Sequence, residues 1–104
     1  MMGYIAERHL WFSIKGEEVR HKLVVRLCAP VVVAEHEVSY PVDGVMAKCH
    51  VEFEGLNASS FDVFGTDSLQ AINLASNIED VLQRLSSKYE FFWATGEPYF
   101  EETH

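Results

Sequence analysis

Hydrophobic and polar positions alternate along the first half of the chain and then change period once. Over residues 5–14, Leu10, Phe12 and Ile14 share one side while Glu7, His9, Trp11 and Ser13 share the other, the two-residue repeat of a half-buried strand. Lys15-Gly16-Glu17-Glu18 reads as a turn. Residues 19–29 repeat the pattern, with Leu23, Val25 and Leu27 inward and Arg20, Lys22, Val24, Arg26 and Cys28 outward. Pro30 cannot donate to a ladder, so it ends this second strand or confines it to an edge. Two strands with a short Gly-containing link predict a hairpin. Residues 31–45 show no single period: Val31-Val32-Val33-Ala34 extends the second strand or runs irregularly into Val38-Ser39-Tyr40-Pro41, and Asp43-Gly44 is a tight-turn pair. A third strand ending at Glu54 turns Cys49, Val51 and Phe53 inward and Lys48, His50, Glu52 and Glu54 outward. Gly55 breaks it, and residues 59–64 form a short fourth strand.

The period then becomes helical. Asp67 lies three residues before Gln70, a variant of the capping box in which each side chain satisfies a backbone N–H at the helix start, with Thr66 as the competing cap. Leu74, Ala75, Ile78, Val81, Leu82, Leu85 and Tyr89 recur every three or four residues, which predicts one long helix of roughly five turns. Phe91-Phe92-Trp93 follows as a last short strand or a hydrophobic flap, and residues 96–104 form a polar tail in which Pro98-Tyr99-Phe100 can still pack. The sum is one α+β domain over residues 1–104: an antiparallel sheet of about four strands with one long helix across one face. Neither the sheet's inward rows nor the helix stripe can stay exposed, so the two pack together.

Composition adds limits. The 48% apolar and 23% charged fractions are ordinary for a globular chain. No stretch approaches the roughly 20 apolar residues of a membrane span, and the N-terminus has no basic start followed by an apolar block. A cytoplasmic protein is the expectation, with no membrane partner. In that setting Cys28 and Cys49 read as small buried residues rather than a disulfide, and the sequon Asn57-Ala58-Ser59 carries no meaning. The net charge of −8 is unevenly spread: five basic residues face three acidic ones up to Pro30, and three face thirteen beyond it. Such a balance opposes contact with phosphate backbones, so nucleic acid is not an expected partner.

Ile5-Ala6-Glu7-Arg8, Pro30, the strand Cys49-His50-Val51-Glu52-Phe53-Glu54-Gly55, the segment Gly65-Thr66-Asp67-Ser68-Leu69-Gln70-Ala71-Ile72-Asn73-Leu74-Ala75 and Trp93 together form a recognisable series. It resembles a family of small uncharacterised bacterial proteins, a domain of unknown function. That family's pattern is an opening I-A-E-R, an early hairpin, a Cys…Glu-Gly strand, a G-x-D-S-x-Q-A helix motif and a later Trp. The match spans nearly the whole chain, and the helix motif is its most specific part. Ile72 where Leu is usual, the longer stretch between Pro30 and Cys49, and the tail Gly96-Glu97-Pro98-Tyr99 depart from the pattern. The resemblance implies no activity, cofactor or substrate.

Candidate chemistry is thin. His9, His21, His36, His50 and His104 with Cys28 and Cys49 show no metal-ligand spacing, and Cys49 and His50, adjacent on a strand, point to opposite faces. Cys49 among Val51 and Phe53 lacks the electropositive, open surroundings of a nucleophile. Thr66, Asp67 and Gln70 are accounted for by capping, with Ser68 a common first-turn residue. The carboxylate of Asp67 would repel any anion approaching the helix start. Glu52/Glu54 and Glu79/Asp80 are spaced as solvated pairs. No metal, cofactor or catalytic group is expected, and the chain does not read as an enzyme.

The sheet face away from the helix is different. It gathers Trp11, Val24, Arg20, Lys22 and Arg26, with His9, Lys48 and His50, and Trp beside Arg is the composition of an interface centre. The competing reading is a solvated face whose charges pair across strands, with Trp11 covered by the loop over residues 31–45. The expectation is a non-enzymatic domain that binds a protein partner or a second copy of itself as a homodimer. One alternative is an acidic inhibitor or immunity-type protein that covers a basic toxin. Another is a small-ligand binder or enzyme with a pocket between the helix N-terminus and Trp93, containing His36 or Glu90.

Overall fold

The computed structural model describes residues 3–33 and 46–100. Strands β1 (Tyr4–Ile14), β2 (His21–Cys28), β3 (Val31–Val33), β4 (Met46–Glu54), β5 (Phe61–Gly65) and β6 (Tyr89–Trp93), with helices α1 (Ser68–Ala75) and α2 (Glu79–Leu85), make an α+β fold. All strand pairs are antiparallel. Among the described residues the sheet has six strands rather than about four. The two extra strands are the short apolar runs Val31–Val33 and Tyr89–Trp93: the second takes the strand alternative for Phe91-Phe92-Trp93, and the first forms a separate strand beyond Pro30.

Strand β4 organises the sheet. Val51 pairs with Leu27 on one side and Phe61 on the other, and Lys48 pairs with Val31 and Phe64. Strands β2 and β3 therefore share one edge of β4, with β5 on the opposite edge. Between these registers three residues of the β2–β3 line face two of β4, so the chain bulges at Cys28-Ala29-Pro30 and then resumes its ladder. Pro30 interrupts the strand without ending the line. Beyond β2 lie β1 and then β6, whose outer edge is covered by the tail: Tyr99 N–H donates to the Phe91 carbonyl at 2.9 Å and Trp93 N–H to that of Glu97 at 2.8 Å.

The stripe read as one long helix is a bent pair. Ser76 N–H still donates to the Ile72 carbonyl while its Oγ donates to that of Asn73, but Asn77 N–H turns to the Leu74 carbonyl and Ile78 N–H to that of Ser76 at 2.9 Å, so the i−4 ladder lapses at Asn77-Ile78. Ser and Asn disfavour helix interiors because their side chains compete for backbone groups in this way. Ile78 stays buried through the bend, but Leu74 is turned out and is exposed. Tyr89, read as the end of the stripe, is instead the first residue of β6.

The core lies between the helices and one sheet face. Leu23, Val25, Cys49, Val51 and Leu82 are fully buried there, with Leu10, Phe12, Leu27, Ala47, Ala71, Ala75 and Phe91 around them. Two glycines allow the close approaches. Gly55 has φ +96°, and a Cβ there would meet the Lys22 carbonyl oxygen at 2.1 Å. A Cβ on Gly65 would lie 2.5 Å from the Ala71 nitrogen, so this position lets β5 turn directly under α1. Asp67 caps α1, its Oδ1 accepting from Gln70 N–H at 2.8 Å. Gln70 Oε1 returns the bond to Thr66 N–H at 2.6 Å, one residue earlier than in the usual box.

Candidate functional site

Alternation places β1 residues 7, 9, 11 and 13 and β2 residues 22, 24, 26 and 28 on the face away from the helices, and strand register assembles them into rows. Trp11 is the partner of Lys22 on one side and Phe92 on the other. The Lys22 ammonium lies 5.8 Å from the Trp11 ring centre, and the Arg20 guanidinium sits 3.7 Å above the Phe92 ring. Arg20 Nη1 also donates to the Gly96 carbonyl at 3.1 Å. Among the described residues no carboxylate pairs with either cation. Trp11 is half-buried and stands as a ridge between two clefts. One, of about 220 Å³, is lined by His9, Lys22 and Val24; the other, of about 320 Å³, by Arg20, Thr95 and Gly96; Ala94 contributes to both.

The rest of the face is internally balanced. Arg26 donates through Nε to Glu7 at 3.0 Å, lies 3.2 Å from Glu54 through Nη1, and stacks its guanidinium 5.3 Å from the Tyr4 ring. His9 Nε2 is 2.8 Å from Glu7. Hydrogen bonds from His9 and Arg26 hold the Glu7 carboxyl below its ordinary pKa. His50 Nδ1 is 2.7 Å from Asp62, and Tyr4 donates to Glu52 at 2.6 Å, which raises the Tyr4 pKa.

Of the sequence-predicted interface residues, Trp11, Arg20 and Lys22 come together. Val24 is on the same face but buried, 7% exposed, forming a cleft wall rather than a contact point. Arg26 is occupied by Glu7 and Glu54. Comparisons with protein-family models, with curated proteins and with solved structures find no match. The site is therefore read from its own chemistry.

Other candidates resolve structurally. Cys28 and Cys49 are buried free thiols, Cys49 Sγ donating to the Cys28 carbonyl at 3.1 Å, and burial pushes both pKa values up. Among the described residues no three His, Cys, Asp or Glu side chains are grouped to hold a metal ion, and no helix is long and apolar enough to cross a membrane. His36, His104 and Asp43-Gly44 lie outside the described residues. Helix α1 starts beside β5, whereas Trp93 is on β6 at the other side of the sheet, so the two do not form one pocket. Glu90 lines a separate cleft with Lys15, Tyr89 and Phe100.

It is the start of α2 that approaches Trp93, through a cluster the sequence reading missed. Arg8 Nη1 donates to Glu79 at 3.0 Å and to Tyr99 Oη at 2.7 Å, and Tyr99 donates to the same Glu79 oxygen at 2.6 Å. The Trp93 and Tyr99 rings lie 4.5 Å apart, with the Arg8 guanidinium 5.3 Å from Trp93. The signal was present: Arg8 is in phase with Leu10 and Phe12, and a cation on an inward row requires a partner. The hydrogen bond from Tyr99, then that from Arg8, lowers the Glu79 pKa; burial and then Glu79 raise that of Tyr99. This cluster fastens the tail segment to α2.

Proposed function

We propose that the protein is a non-enzymatic, cytoplasmic binding domain that holds an acidic, aromatic-containing segment of a protein partner across Trp11. The observation that supports this most is the pairing of a half-buried Trp ridge, clefted on both sides, with two cations that no carboxylate among the described residues neutralises. In a chain of net charge −8 such cations are scarce, and pairing them internally would have been easy. Left open, they steer an acidic segment to the ridge, and burial of Trp11 supplies most of the affinity. Membership of the bacterial family resembled above is part of this proposal and carries no activity with it.

The inhibitor reading would use the acidic end of the same face. There Glu7, Glu52, Glu54 and Asp62 are already engaged by Arg26, Tyr4 and His50, so a basic partner would have to displace existing pairs. The acidic-segment reading meets no such competition. It is tested by selecting peptides from a random display library on the intact protein. The expected result is enrichment of Asp/Glu-flanked aromatic sequences whose binding is lost in Trp11→Ala and in Arg20→Glu/Lys22→Glu. Enriched peptides that bind the double variant unchanged would contradict it.

A further inference from the structure

A groove separate from the Trp11 surface runs between α2 and the loop joining β4 to β5. Phe53, Ala58, Phe61, Val81 and Leu85, all half-buried, form its apolar lining, and it is an open groove of about 490 Å³. That is the size range of small-molecule sites, about 300–1,000 Å³. The Phe53 and Phe61 rings, 6.1 Å apart, pack on the core from one side and leave the other open.

Among the described residues Arg84 is the one charged side chain in this lining, which Asn57 and Ser59 also join. Asp80, one turn earlier on α2, would be its natural partner, but the Asp80 carboxylate accepts from Asn77 Nδ2 at 3.2 Å. Arg84 Nε reaches only the Asp80 backbone carbonyl, at 3.4 Å, and no described carboxylate pairs with the guanidinium. A place in the last turn of α2 suits any cation, because it opposes the helix dipole. That accounts for the charge but not for an open apolar floor beside it.

We propose that this groove binds a small amphiphile with a single carboxylate head and an unbranched apolar tail. The head pairs with the Arg84 guanidinium, whose fork matches two carboxylate oxygens. The tail lies along Phe53, Phe61, Val81 and Leu85 and completes their burial. Charge selects the class. One uncompensated cation favours an anion, whereas the net charge of −8 repels a multiply charged one. The large apolar lining then requires that most of the ligand be hydrocarbon. This site is independent of the Trp11 surface and stands or falls separately.

The test is a titration of the intact protein with sodium decanoate, followed by amide NMR, with decanol and acetate as controls. Saturable shifts are expected at Phe53, Phe61, Val81 and Leu85, with acetate silent. Arg84→Gln, an exposed substitution, should weaken decanoate at least about tenfold and leave decanol unchanged. Ala58→Trp, which fills the groove, should abolish decanoate binding. If that variant does not fold, Arg84→Gln decides alone. Absence of saturable shifts at millimolar decanoate, equal affinity in Arg84→Gln, or shifts centred elsewhere would overturn the proposal.

Discussion

Arg20, just before β2, and Arg26, within it, serve the same sheet face, yet their surroundings differ completely. Arg26 is held by Glu7 and Glu54 and covered by Tyr4, while Arg20, among the described residues, is partnered by an aromatic face and a backbone carbonyl. One end of the face thus spends its charges on cross-strand pairing, and the other leaves them available beside Trp11. The comparison teaches that residue type alone does not distinguish a structural cation from one that can recognise a partner. What distinguishes them is whether a carboxylate stands opposite in the register. At Arg26 the opposing β1 residue is Glu7. At Lys22 it is Trp11.

The sharpest way to break the comparison is to remove its centre. Trp11→Ala should cost a selected acidic peptide about 2–4 kcal/mol of binding, read by calorimetry, because a central aromatic anchor dominates such interfaces. The thermal midpoint should change little beside that of Leu82→Ala, a fully buried core truncation expected to cost about 2–5 kcal/mol by denaturant unfolding. Tyr99→Phe removes a bond to the charged Glu79 and should lower stability by about 1 kcal/mol, discounted for the half-exposed carboxylate.

The same cluster sets a pH dependence. Folding lowers the Glu79 pKa, so its contribution is complete above the ordinary value of 4.5 and fades as pH falls through the lowered one. Folding raises the Tyr99 pKa, so that contribution is complete below the ordinary value of 10.0 and is lost as pH rises through the raised one. Glu79→Gln should flatten the acid limb of a stability–pH profile. Smallest of all, Arg20→Ala and Lys22→Ala should leave stability nearly unchanged while reducing the salt sensitivity of peptide binding. Arg26→Ala should do the reverse.

Strand alternation made the core legible: Leu10, Phe12, Leu23, Val25, Leu27, Cys49 and Val51 all sit where their period puts them. The start of α1 was equally legible, because Gly65, Asp67 and Gln70 act locally. The break at Asn77-Ile78 was not, since Ile78 stays buried across it and the apolar spacing continues undisturbed. Three-residue β3 was left open between strand and irregular chain, because Pro30 masks that a bulge rather than an end follows. Trp11, Arg20 and Lys22 were legible as a face. That Arg26 drops out of it depends on cross-strand register, which no local pattern encodes. The Arg84 groove was invisible for a similar reason: α2 meets residues 53–61 only in three dimensions.

The chain has two tryptophans, and their indole N–H signals report the two readings separately. Trp11 marks the proposed surface, and Trp93 marks the cluster at α2. The decisive measurement is an indole-resolved NMR titration with the selected acidic peptide. The account predicts that the Trp11 signal moves saturably while Trp93 stays in place. Movement of Trp93 with Trp11 unmoved would contradict it.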